Sequence, residues 1–149
     1  MTIYVDADAC PVKAETLRVA ERHKVKVVYV SDGGVRPNPH PLAEVVVVAQ
    51  GADAADDWIV DRIGAGDLCI TGDIPLADRC IKKGARALRH NGEAFTEANI
   101  GNLLATRDLM AEFRSANPLS QGGGGRPFSK ADRSRFLEAL ERELRLSAR

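Results

Sequence analysis

The stretch IYVDADACP, residues Ile3 to Pro11, runs an apolar segment into two carboxylates one residue apart and then into a proline. Ile3, Tyr4 and Val5 are β-branched or aromatic, and the run is too continuous to leave one face wet, which describes a strand buried on both sides. Pro11 then suits the first turn of a helix, where its missing N–H costs nothing. A buried strand feeding directly into a helix is half of a βαβ unit, and the chain repeats that order. Further Val/Ile-rich runs predict strands at 25–30, 44–49, 68–71 and 85–88, and helical patterns occupy 11–22, 54–63 and 75–83, the last two stopped by Gly64 and Gly84. Alternating strands and helices imply a parallel sheet with helices on both faces, a three-layer α/β fold.

Outward from this frame, residues 31–41 hold Pro37, Pro39 and Pro41 with Gly33 and Gly34, a loop by composition. A fourth helix is expected at 96–116 and a glycine-rich linker at 117–129. A last helix follows at 129–147, where Ser129 and Asp132 have capping-box spacing. Its apolar stripe, Phe136, Leu137, Leu140 and Leu144, requires a surface to pack on. We therefore expect an α/β domain over 1–116 with residues 117–149 as a linker and a helix docked on it.

At 149 residues and 44% hydrophobic content the chain suits a single core. Its 21 basic and 21 acidic residues balance, so total charge points to neither nucleic acid nor membrane. The halves differ: residues 1–78 carry 13 acids against 7 bases, and 79–149 carry 8 against 14. One half could hold a cation while the other receives a polyanion. Cys10, Cys69 and Cys80 lack zinc-site spacing and read as reduced, half-buried fillers. No signal-peptide pattern and no apolar run of about 18 residues is present, which predicts a cytoplasmic protein without a membrane partner.

Acids gather at three places that an α/β topology brings to one edge. Asp6 ends the first strand, and the carboxyl ends of parallel strands share the edge where such folds bind ligands. In LCITGDIPLAD, 68–78, a second strand ends just before Asp73, with Asp78 on the next helix. In GADAADDWIVDRI, 51–63, helical spacing puts Asp56 near the side of Ile59 and Ile63, which should be buried, with Asp53 at its rim; Asp57 and Asp61 lean outward. Two carboxylates about 4 Å apart repel by about 1 kcal/mol in water and about 4 at an effective dielectric of 20, so a cation is expected among them. Oxygen-only ligands suit Mg²⁺ or Mn²⁺. The expected ligands are Asp6, Asp8, Asp53, Asp56, Asp73 and Asp78, with Asp6, Asp56, Asp73 and Asp78 the catalytic subset. The plain alternative for any one of these acids is a helix cap.

DADAC followed by GDIPLAD also resembles the haloacid dehalogenase phosphatases, which would make Asp6 a nucleophile. That chemistry wants a lysine between the second and last motifs, and none occurs from 37 to 81. VDADACP, GADAADDWI, TGDIPLA and GGGGRPFSKADRSRFLEALER, in this order, resemble the uncharacterised bacterial YaiI/YqxD family over nearly the whole chain. That family is similar in turn to PIN-like domains, metal-dependent nucleases with an acidic pocket at the carboxyl edge of a parallel sheet. The resemblance implies that Asp6, Asp56, Asp73 and the more variable Asp78 stand at PIN acid positions. Asp8, Asp53 and the glycine-rich extension depart from the PIN pattern.

GGGGRPFSK, 122–130, sets backbone amides and basic side chains beside a helix N-terminus, an arrangement that favours anions. Arg36, Arg126, Ser129 and Lys130 are the candidate substrate-binding residues. Aromatic residues make up 5% of the chain, so nucleic acid would be held by its backbone rather than by base stacking. The sequence thus predicts a Mg²⁺- or Mn²⁺-dependent nuclease with RNA as substrate, compatible with a homo-oligomer. The alternatives are the phosphatase and a non-catalytic nucleic-acid-binding module.

Overall fold

The computed structural model describes residues 1–49, 51, 53–116 and 127–147. Strands β1 (Thr2–Asp6), β2 (Lys26–Ser31), β3 (Ala43–Val47), β4 (Leu68–Ile70), β5 (Arg86–Leu88) and β6 (Ala94–Phe95) form one sheet in the order β3-β2-β1-β4-β5-β6. Helices α1 (Lys13–His23), α2 (Ala54–Arg62), α3 (Ile74–Lys82), α4 (Glu97–Ala116) and α5 (Lys130–Ser147) complete the described elements. All strand pairs are parallel except β5 with β6, so the expected α/β class holds. The antiparallel β6 adds to the expected strands. Two residues show no period, and the link before it closes on itself, Arg89 N–H donating to the Glu93 carbonyl at 2.8 Å; a link so short permits a hairpin and not a crossover.

Alternate residues of the central strands feed two cores, one on each face. Ile3 and Val5 of β1, Tyr29 of β2 and Leu68 and Ile70 of β4 pack with Val19 of α1 and Phe136 and Leu140 of α5. On the opposite face, Val28, Val30 and Cys69 pack with Ile59 of α2, Leu76 and Cys80 of α3 and Ile100 of α4. The three cysteines are free and buried rather than half-buried. β3 departs from the expectation of a doubly buried strand: it lies at the sheet edge, and its Val47 is 63% exposed. α1 begins at Lys13 rather than Pro11, because the chain first turns through Ala9 in the left-handed region at φ 58°.

The last helix docks as its stripe requires, with Phe136, Leu140 and Leu144 buried. Its capping box is formed: Asp132 N–H donates to Ser129 Oγ at 3.1 Å, and Ser129 N–H to Asp132 Oδ2 at 3.0 Å. Ion pairs fix its register, Arg133 to the buried Glu15 of α1 and Glu143 to Arg86 of β5 at 2.8 Å. Gly92, in the β5–β6 turn at φ 92°, lies so close to α5 that a Cβ there would stand 2.6 Å from the Arg135 carbonyl oxygen. No helix among the described residues is long and apolar enough to cross a membrane.

The strand order also reverses at the carboxyl edge. From β1 the chain moves outward through β2 to β3, then returns by α2 to β4 on the other side of β1. The order therefore reverses between β1 and β4, and the crevice outside their carboxyl ends is where open α/β sheets bind ligands.

Candidate functional site

Asp6 ends β1 and Asp73 follows β4, so the two carboxylates flank this switch point. Thr71 joins them. Its hydroxyl donates to Asp6 Oδ2 at 2.9 Å and accepts from the Asp73 N–H at 2.9 Å, bridging the ends of two neighbouring strands. Asp73 is also the N-cap of α3, with Oδ1 accepting from the Leu76 N–H at 3.0 Å, so the cap and the candidate ligand are the same residue. One oxygen of each carboxylate, Asp6 Oδ1 and Asp73 Oδ2, is left without a hydrogen bond among the described residues.

Asp56, in the first turn of α2, is half-buried and has no hydrogen bond or ion pair among the described residues. Burial pushes its carboxyl up from 3.8 to about 6, and the charges of Asp73, Asp6 and Asp53 push the same way against Arg79. Asp6 is likewise raised by burial, opposed by the Thr71 hydrogen bond and reinforced by Asp73 and Asp8. The charges of Asp73 and Asp6 thus act on Asp56, and that of Asp73 on Asp6, although the three come from separate stretches of chain. Asp53, exposed at the N-cap of α2, makes no side-chain cap bond.

The other sequence candidates occupy different places. Asp8 spends both oxygens on the start of the loop after β2: Oδ1 accepts from Ser31 Oγ at 2.7 Å and Oδ2 from the Asp32 N–H at 3.0 Å. Although partial desolvation would raise its pKa, these bonds hold it below the ordinary value. Asp78 is paired with Lys82 one turn along α3 at 2.8 Å. Ser129 is engaged in the α5 capping box, and Lys130 is exposed at the first position of that helix. Arg133 and Arg135, which would extend a basic patch, pair with Glu15 and Asp132. Arg36 is exposed on the loop after β2, and Arg126 lies outside the described residues.

Among the described residues no group of three or more His, Cys, Asp and Glu side chains is gathered as a ready-made metal cage. The donor set nevertheless fits a hard cation. Mg²⁺ keeps several waters and takes one or two carboxylates rather than a full protein cage. The uncommitted oxygens of Asp6, Asp56 and Asp73 are all carboxylate, and the repulsion among them is what a divalent ion would relieve.

The family model described as "Uncharacterized BCR, YaiI/YqxD family" matches residues 4–146. The chain belongs to the YaiI/YqxD family. Among curated members it is similar to the UPF0178 protein of Ruegeria pomeroyi, 64% identical with 99% of this chain and 96% of the relative covered. The UPF0178 protein of Roseobacter denitrificans is 62% identical, covering 98% of this chain and 96% of the relative. That of Parvibaculum lavamentivorans is 58% identical over 93% of this chain and 90% of the relative. No solved structure matches it.

In this YaiI/YqxD chain two further side chains at the edge lie outside the set expected from sequence. Thr71 is the bridge between Asp6 and Asp73, and its signal is a hydroxyl at a strand end two residues before an acid. His90, just after β5 on the same edge, packs its ring beside Gly72, and its buried Nε2 has no hydrogen-bond partner among the described residues. Burial and the nearby cations Arg89 and Lys13 hold the imidazole below its ordinary pKa. A lone histidine in the link before a two-residue strand gives no periodic signal by which it could be found.

Proposed function

We propose that this protein is a divalent-metal-dependent nuclease that hydrolyses phosphodiester bonds, with RNA as its substrate. The observation that carries this reading is the Thr71 bridge that joins Asp6 and Asp73 across the ends of β1 and β4 at the switch point of the sheet, with the charges of both acting on the half-buried Asp56. A Mg²⁺ or Mn²⁺ ion held by one or two of these carboxylates, with water in its remaining positions, would acidify water and stabilise charge developing on phosphoryl oxygens. The chain's own residues prepare the place. Thr71 orients Asp6 through its hydroxyl, and the α3 cap fixes Asp73 at a helix N-terminus, whose dipole favours its charge. Asp56 stands half-buried with no hydrogen bond or ion pair among the described residues, and Arg79, whose charge reaches it, is paired with Asp57. Asp8 and Asp78, committed to Ser31 and Lys82, are left out of this ligand set.

The test is cleavage of mixed-sequence RNA and single-stranded DNA with Mn²⁺ or EDTA, comparing wild type with Asp73→Asn. Asparagine caps helices as well as aspartate does, so the variant keeps the fold and loses a charged ligand. Cleavage of RNA should require metal and fall in the variant by more than the roughly 10–100-fold that outer partners of a metal site cost. Cleavage that persists in EDTA, or that Asp73→Asn leaves unchanged, refutes the assignment. Release of inorganic phosphate from small monoesters would favour the phosphatase reading instead, and salt-sensitive binding without turnover the binding module.

A further inference from the structure

A cleft of about 410 Å³ lies beside the acidic edge, on the α1 side of the sheet. Its floor is apolar, made by Tyr29 of β2, Val45 of β3 and Val35 of the following loop, and Ala14 of α1 forms one wall. Its rim carries two cations, Lys13 and Arg36. These are unusual company in a half of the chain where acids outnumber bases 13 to 7. Arg36 is exposed and has no ion pair or hydrogen bond among the described residues. Lys13 donates from Nζ to the carbonyls of Cys10 at 3.0 Å and Ala7 at 3.4 Å, on the turn that follows Asp6, which leaves one of its three N–H bonds for a ligand.

Asp8 ties the cleft to the edge. Through Ser31 Oγ and the Asp32 N–H it anchors the start of the loop whose Gly34, Val35, Arg36 and Asn38 line the cleft, and Ser31 Oγ in turn accepts from the Gly33 N–H at 3.0 Å. This gives the two acids of the first strand end separate tasks: Asp6 faces the switch point, and Asp8 holds the loop that shapes the cleft.

We propose that this cleft is a nucleotide subsite, in which the base and sugar lie on the apolar floor and a phosphate is held between Lys13 and Arg36. The volume falls in the range of small-molecule sites, and an apolar body with one anionic group matches a floor without charge and a rim with two cations. The choice of a nucleotide over other phosphate esters rests on the nuclease reading; the anion site itself does not. Arginine supplies the planar fork that phosphate recognition favours.

The experiment is titration of the full chain in EDTA with adenosine 5′-monophosphate, adenosine and inorganic phosphate, followed by amide chemical shifts. The monophosphate should shift amides of residues 13, 14, 35 and 36, and adenosine or phosphate alone should bind at least tenfold more weakly. Arg36→Glu, at an exposed position, should weaken the monophosphate at least tenfold. Ala14→Trp, which fills the cleft from an exposed helix position, should abolish binding. Absence of monophosphate binding to the wild type, or binding that neither variant alters, overturns the subsite. Equal binding of inorganic phosphate and the monophosphate overturns the nucleotide assignment. Because the titration reads no catalysis, its failure is distinct from failure of the nuclease assay.

Discussion

Replacing Asp56 by asparagine should make the metal-free protein more stable and its response to metal weaker. The native carboxyl titrates near 6 instead of 3.8, so between those values the folded state keeps a proton that the unfolded chain has lost. Stability therefore falls as pH rises through this window, and the full penalty stands above about pH 6. At about 1.36 kcal/mol per pH unit the gap corresponds to about 3 kcal/mol, which solvent screening of a half-exposed group trims to on the order of 1–1.5. The amide cannot ionise and abandons no described partner, so at pH 8 Asp56→Asn should raise Tm by roughly 2–5 °C, and at pH 4 by almost nothing. Metal at ten times its Kd should stabilise the wild type by about 1.4 kcal/mol and the variant by much less. Thermal unfolding followed by circular dichroism at both pH values, with MgCl₂, MnCl₂ or EDTA, reads all of this. A variant less stable than wild type at pH 8, or an undiminished metal-induced rise, would show that Asp56 is not held under charge repulsion at a cation site.

Thr71→Val keeps the shape of the side chain and removes both hydrogen bonds of the buried bridge. Urea unfolding should show a loss of about 1–3 kcal/mol, and a loss below about 0.5 would mean that Asp6 and Asp73 are not organised through Thr71. Phe136→Ala empties the core under α5 and should cost about 3–5 kcal/mol; an effect near zero would show that α5 does not seal that face.

Much of the architecture can be read along the chain because its signals are local. Continuous Val/Ile runs, Gly64 and Gly84 after helical periods, and the Ser129/Asp132 pair each depend on neighbours within a turn or two, and β1, β2, β4, α2, α3 and α5 lie where these signals put them to within a few residues. The parallel sense follows from alternation, since two parallel neighbours need a crossover between them. β6 escapes because two residues cannot display a period, and β3 reads as doubly buried because an edge strand can have the same apolar composition as a central one. By itself, then, the sequence determined the fold class. Which partner each acid meets at the carboxyl edge is decided only by the tertiary structure. Asp6 and Asp8 look alike in the chain, but one meets Thr71, 65 residues away, and the other meets Ser31, 23 residues away. Register between strands decides such partners, and a carboxylate's chemistry is set by what stands across from it rather than by what precedes it.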